Sequence, residues 1–170
     1  ASGEGGAIRF SSTGTVTNCN FTNNSARYGG AIEFEGTGTV LNCNFTNNKA
    51  TGGYSYGGAV YFWNTGTVTN CNFVDNKATG DYSFGGAIYM NSGTVSNCNF
   101  AGNTATRHGG AVYFENSGNV TNCNFINNKA TGTDSWGGAV FFNREGTVTN
   151  CNFTDNSATV NGGAVFFNGT

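Results

Sequence analysis

The chain has 170 residues, 28 of them glycine and none proline, with 14% aromatic and 9% charged residues and a formal net charge of −2. No basic stripe exists to grip a phosphate backbone, so nucleic acid is not an expected partner. No apolar run reaches membrane-spanning length, so no membrane insertion is expected; no secretory leader is visible, so a secreted form would already be mature. The first element is Gly5-Gly6-Ala7-Ile8, and Gly-Gly-Ala followed by Ile or Val returns at Gly29, Gly57, Gly85, Gly109, Gly137 and Gly162. Between copies lies a second block, Val-x-Asn-Cys-Asn-Phe-x-x-Asn-x-Ala, with a period of 24 to 28 residues. A period of this size marks a solenoid, in which one coil cannot bury its apolar face alone.

The coil from Gly29 to Tyr56 shows the pattern. Ile32 and Phe34 point one way, Ala31 and Glu33 the other. The same inward pair recurs as Ile8/Phe10, Val60/Phe62, Ile88/Met90, Val112/Phe114, Val140/Phe142 and Val165/Phe167. A turn at Glu35 to Gly38 leads to Thr39-Val40-Leu41 with Val40 inward, and Asn42 marks a bend, because Asn tolerates the left-handed conformation a sharp bend needs. A third segment carries Cys43 and Phe45 and ends near Asn48 and Ala50. No stretch keeps a helical period. The expected fold is all-β: one domain over residues 1–170, a right-handed parallel β-helix of about six and a half coils, each with three short strands. Asn18, Asn42, Asn70, Asn97, Asn122 and Asn150 are expected to stack as one amide ladder, and Asn24, Asn48, Asn76, Asn103, Asn128 and Asn156 as another.

Gly-Gly-Ala followed by Ile or Val, paired with Phe-x-x-Asn at Phe21–Asn24, Phe45–Asn48, Phe73–Asn76, Phe100–Asn103, Phe125–Asn128 and Phe153–Asn156, resembles the repeat of chlamydial polymorphic outer membrane proteins. It is also similar to adhesin-like surface proteins of methanogenic archaea. The resemblance covers nearly the whole chain. It implies a right-handed β-helix at a cell surface, used in adhesion or envelope building, with no catalytic residues. The sequence departs from the usual family member in being short, and no autotransporter barrel, anchor or evident capping segment is expected within these 170 residues.

Cys19, Cys43, Cys71, Cys98, Cys123 and Cys151 fall one per coil at one coil position. The absence of Cys-x-x-Cys argues against a zinc or redox motif. In-register cysteines on parallel strands have Cβ atoms near the ~4.8 Å strand spacing, wider than the ~3.8 Å a disulfide prefers. A buried thiol ladder is therefore favoured, with local distortion into pairs such as Cys19–Cys43 left open.

Chemistry is harder to find. The acidic residues Glu4, Glu33, Glu35, Asp75, Asp81, Glu115, Asp134, Glu145 and Asp155 sit at differing coil positions, and Glu33 and Glu35 share a strand exit without an evident partner in neighbouring coils. The single histidine, His108, aligns with Tyr28, Tyr56, Phe84 and Trp136 just before Gly-Gly, and reads as a stacked loop side chain. No catalytic, metal or cofactor site is expected. Two stripes remain on the outside. The outward slot between the core positions holds Arg9, Glu33, Tyr61, Tyr89, Tyr113, Phe141 and Phe166; with Tyr56, Phe84 and Trp136 from the loops it is expected to form an exposed aromatic interaction surface. A second stripe, Thr15/Thr17, Thr67/Thr69 and Thr147/Thr149, flanks the inward Val and is interrupted by Leu41, Ser96 and Asn119. Asn20, Asn23, Asn44, Asn119, Asn152 and Asn168 open Asn-x-Ser/Thr sequons, acceptors if a glycosylating cell secretes the chain.

The sequence therefore points to a non-enzymatic extracellular protein that builds or decorates a cell surface. Its expected partners are further copies of itself, in a homo-oligomer, filament, tube or sheath, or glycans and other features of a host or partner cell. The repeats run to both ends without a cap, so copies are expected to cover one another's ends unless the chain is a piece of a longer adhesin. Two alternative readings are a polysaccharide-active β-helix enzyme and an ice-binding protein using the Thr-Val-Thr stripe.

Overall fold

The computed structural model describes residues 3–169, so the outermost ends of the expected domain lie outside the described residues. Among the described residues the structure is all strand without helix, and every pairing is parallel. Like residues meet like: Val60 pairs with Ile32 on one side and Ile88 on the other, Phe73 with Phe45 and Phe100, Ala78 with Ala50 and Ala105. The stack is a β-solenoid of about six turns.

Three faces enclose the interior. The first is a ten-stranded sheet with two lanes, one running from Ile8–Phe10 to Val165–Phe167, the other from Gly14–Thr17 to Glu145–Thr149. The second is built from Asn-Phe-x strands, Asn20–Thr22 to Asn152–Thr154, and the third from short strands around the alanine column, Ser25–Ala26 to Ser157–Ala158. A two-stranded sheet, Tyr54–Tyr56 with Tyr82–Phe84, lies outside these.

The division into three differs from the sequence reading. The first two expected strands share one face and fuse into single strands at Val60–Thr69, Ile88–Ser96 and Val112–Thr121, while the alanine column forms a face of its own. The turn between the lanes becomes a register irregularity, as between Phe62 and Thr65. Glycine permits this path: a Cβ on Gly38 would lie 2.5 Å from the Phe34 ring and 2.6 Å from that of Phe62.

Bends come from residues able to hold positive φ. Asn18, Asn42, Asn70, Asn97, Asn122 and Asn150 turn the chain between the first and second faces with φ from 52° to 56°. A second Asx column, Asn23, Asn47, Asp75, Asn127 and Asp155, does the same between the second and third. Asp75 and Asp155, two of the acids named above, therefore serve as bend residues.

The interior is a set of columns. Phe21, Phe45, Phe73, Phe100, Phe125 and Phe153 stack face to face at 4.8 to 5.0 Å. Each fully buried apolar side chain contributes about 1.5–3 kcal/mol, so the core outweighs any single polar contact. The Asn24-to-Asn156 column forms the expected continuous amide ladder, whereas the Asn18-to-Asn150 column is bonded among the described residues only in the pairs Asn42–Asn18 and Asn122–Asn97. The Asn42 amide donates to Asn18 in the open, at 3.2 Å. Asn48, Asn76, Asn103 and Asn128 are wholly buried. The Asn76 amide donates to Asn103 Oδ1 at 3.0 Å and to the Phe45 carbonyl at 2.9 Å, and its own Oδ1 accepts from the Asn48 amide and backbone N–H. Each buried amide is thus satisfied by the coils above and below.

Candidate functional site: an aromatic and acidic outer face

The cysteine column is a ladder of free thiols. The Cys71 thiol donates to the Thr69 carbonyl at 3.2 Å and its sulfur accepts the Cys43 backbone N–H at 3.4 Å. Burial pushes the Cys43 thiol above its ordinary range, which suppresses the nucleophilic thiolate. These cysteines pack the core.

The aromatic stripe departs from expectation. Tyr61, Tyr113 and Phe141 are buried, and Tyr89, Phe166, Tyr56, Phe84 and Trp136 are half-buried. The reason is a second aromatic column. Residues before each Gly-Gly fold over the outside of the first face and bridge along the stack, Tyr28 to Tyr56 and Phe84 to His108 to Trp136. Their rings pack on the outward slot: Tyr56 on Tyr89 at 5.0 Å, Phe84 on Tyr113 at 5.0 Å, His108 on Phe141 at 4.7 Å. What the alternation marked as outward is the inside of a satellite aromatic cluster. His108 stacks as expected, 4.7 Å from the Trp136 ring, and burial followed by the Arg107 charge pulls its pKa down to about 4. It is a neutral ring near pH 7.

At the first coils the same slot holds ions. Arg9 Nη2 lies 3.0 Å from Glu4 Oε2 and also contacts Glu35, and Arg9 Nε lies 3.8 Å from Glu33 Oε2. One oxygen from each of the three carboxylates falls within 4.8 Å of the others. The sequence reading missed this partner. Its signal was available, since Arg9 and Glu33 occupy one slot in adjacent coils and pair directly. Glu33 is only 3% exposed and its Oε2 has no hydrogen-bond partner. Burial and then Glu4 raise its pKa to about 7 despite Arg9. The Arg9 guanidinium pairs with these acids and offsets part of their charge.

A second acid, Glu115, gathers donors from the aromatic region. The Tyr89 and Tyr113 hydroxyls each donate to its Oε2 at 3.0 Å, and the Asn143 amide donates to Oε1 at 3.0 Å. Burial, then the Glu115 charge, pushes both phenols up, so they stay protonated donors.

Two open cavities lie on this face. One of about 490 Å³ is lined by Glu4, Ser11, Tyr28, Glu33, Glu35, Trp63 and Asn64. The other, about 450 Å³, is lined by Tyr56, Tyr61, Trp63, Tyr89, Asn91, Glu115, Asn116 and Arg144. Trp63, 60% exposed, belongs to both.

The sequon asparagines Asn20, Asn23, Asn44, Asn119, Asn152 and Asn168 are all exposed. Several of their amides already hold ladder bonds, such as Asn44 to Asn20 at 2.8 Å, and Thr170 of the last sequon lies outside the described residues.

Residues 1–92 match the family described as Right handed beta helix region, and the chain belongs to that family. Residues 97–115 and 150–168 each match the Chlamydia polymorphic membrane protein repeat, which supports the resemblance drawn from the paired motifs. Among curated proteins and among solved structures there is no significant match.

Proposed function

We propose that this chain is a non-enzymatic, adhesin-like β-helix displayed on an extracellular cell surface. The observation that carries the reading is the pair of matches to a membrane-protein repeat. The matched motifs have clear structural jobs: the Phe-x-x-Asn asparagines form the buried ladder, and Gly-Gly starts the bend into the first face. The repeat therefore specifies a stiff rod with a long lateral surface. Its acids serve the same end, because Arg9 holds Glu4 and Glu35 while tyrosines and Asn143 hold Glu115.

Self-association belongs to the proposal in altered form. The stripe expected to join copies is largely covered, so lateral contact would use the exposed stacked pair Tyr54–Tyr82 and Val74. Two measurements test the function. Antibody labelling and protease shaving of intact source cells should detect the chain at the surface, and purified protein should bind partner cells and block adhesion of the source cells; an intracellular location rejects the reading. Sedimentation of wild type against a Tyr54→Ser, Tyr82→Ser double variant should show higher-order species only in the former.

A further inference from the structure

We propose that the Asn161–Gly162 peptide is a site of spontaneous covalent modification, at which the Asn161 side-chain amide closes on the Gly162 nitrogen and the isoaspartyl product unseats the coil carrying Val165–Phe167. The proposal is independent of surface display. The chain has two Asn-Gly pairs, Asn161–Gly162 and Asn168–Gly169. A following glycine leaves the attacking nitrogen unshielded by a side chain. The fold then separates the two pairs. The Asn168 amide donates to Asn143 Oδ1 at 3.1 Å, and the Asn168 backbone N–H donates to the Phe142 carbonyl at 2.8 Å. Asn161 is exposed, and its side-chain amide has no hydrogen-bond partner among the described residues.

The slot before each Gly-Gly shows why. Tyr28, Tyr56, Phe84, His108 and Trp136 fill it with rings that pack on the outward column. Asn161 continues the slot, bridged to Trp136, but brings no ring to pack. The nitrogen differs as well. Gly29, Gly57, Gly85, Gly109 and Gly137 each donate their N–H to the carbonyl before the next Gly-Gly, at 2.9 to 3.1 Å, whereas the Gly162 N–H has no acceptor among the described residues. Nucleophile and electrophile are thus both unrestrained at this peptide. The Gly162 nitrogen gives its proton to hydroxide and attacks Asn161 Cγ. The new N–C bond closes a succinimide, and the side-chain nitrogen leaves as ammonia after taking a proton from water. Water then opens the ring at either carbonyl, giving aspartate or isoaspartate and one added negative charge. Isoaspartate routes the main chain through the former side chain and lengthens it by one carbon. It does so where the Asn161 and Gly162 carbonyls accept the Gly137 and Gly138 N–H groups at 3.1 and 3.0 Å. The Val165–Phe167 strand then loses its register against Val140–Phe142.

The test ages the purified chain in mildly alkaline buffer and maps it by fragment-ion mass spectrometry, with enzymatic methyl labelling of isoaspartate. In the folded chain Asn161 should convert about tenfold faster than Asn168, the factor that one retained hydrogen bond supplies. In urea the two should convert at similar rates, because the dipeptide is the same and only the fold distinguishes them. Asn161→Gln lengthens an exposed amide that makes no bond and disfavours ring closure; it should abolish labelling at this position, and thermal melts of fresh protein verify that it folds. Protease cleavage beyond Ala158 should grow with age in wild type and not in Asn161→Gln. The proposal is overturned if Asn161 stays intact in the folded chain, if Asn168 converts as fast there, if the two differ as much in urea, or if aged wild type resists protease as well as aged Asn161→Gln.

Discussion

Arg9 and Glu33 occupy the same column as Tyr61, Tyr89, Tyr113, Phe141 and Phe166, yet the two ends of that column obey different physics. At the first coils it is an ion cluster open to a cavity; farther along it is a ring stack roofed by a second ring stack. The backbone register is unchanged across the switch. Interior columns hold the coils in step, so the outer slot is free to change chemistry without disturbing the fold. That freedom is what lets a uniform rod carry a localised site.

The comparison breaks most completely where both regions depend on the same backbone. Gly86 sits where one coil passes over the next, and a Cβ there would lie 2.0 Å from the Gly110 carbonyl oxygen and 2.6 Å from backbone atoms of Thr104. Gly86→Ala should cost more than about 4 kcal/mol or prevent folding, read by urea denaturation. The wholly buried ladder comes next. Asn76→Ala strands the Asn48 donors and the Phe45 carbonyl and should cost about 3 kcal/mol, while Asn44→Ala, in an exposed ladder of similar geometry, should cost under about 0.5 kcal/mol.

The two regions should also answer pH with opposite slopes. Folded Glu33 titrates near 7 instead of 4.5, facing Glu4, Arg9, Glu35 and Tyr61, so the folded chain keeps a proton that the unfolded chain has lost. Stability therefore falls as pH rises from 4.5 to 7. Folded His108 titrates near 4 instead of 6.5, facing Arg107, Asp134 and the surrounding rings, so the unfolded chain takes up the extra proton. Stability therefore rises as pH rises from 4 to 6.5. Each slope amounts to roughly 2–3 kcal/mol over its window, and in wild type they largely cancel where the windows overlap. Glu33→Gln should leave only the rising slope and His108→Phe only the falling one, measured as urea midpoints across pH 4 to 8. Smallest is the bend column: Asn70 holds φ at 53°, so Asn70→Ala should cost about 1–2 kcal/mol and Asn70→Gly only a few tenths.

Much of this was readable beforehand. Ile32, Phe34, Val40, Cys43 and Phe45 point inward as the alternation required, and the Asn48 column is buried and paired as expected. The alanine face was not recognised, because a strand as short as Ser25–Ala26 carries no alternation to detect. The burial of Tyr61 and Tyr113 was not legible either. Alternation shows which side of a sheet a residue takes but not what lies on that side, and the cover comes from the residues before Gly-Gly, Tyr28 and Tyr56 over Tyr61 and Phe84 over Tyr113. The exposure of Trp63 depends on the same unknown, since no ring covers it, whereas Tyr61 beside it is roofed.

The repeat alone dictated the coil, its register and its interior ladders, because every coil applies the same short-range rules and stacking only multiplies them. The path of the loops over the outer face settled where rings are hidden, where Arg9 meets three acids, and where a cavity stays open. Those outcomes turn on which side chains fill the outward and pre-Gly-Gly slots and how they pack on one another; periodicity marks the slots but not what covers them.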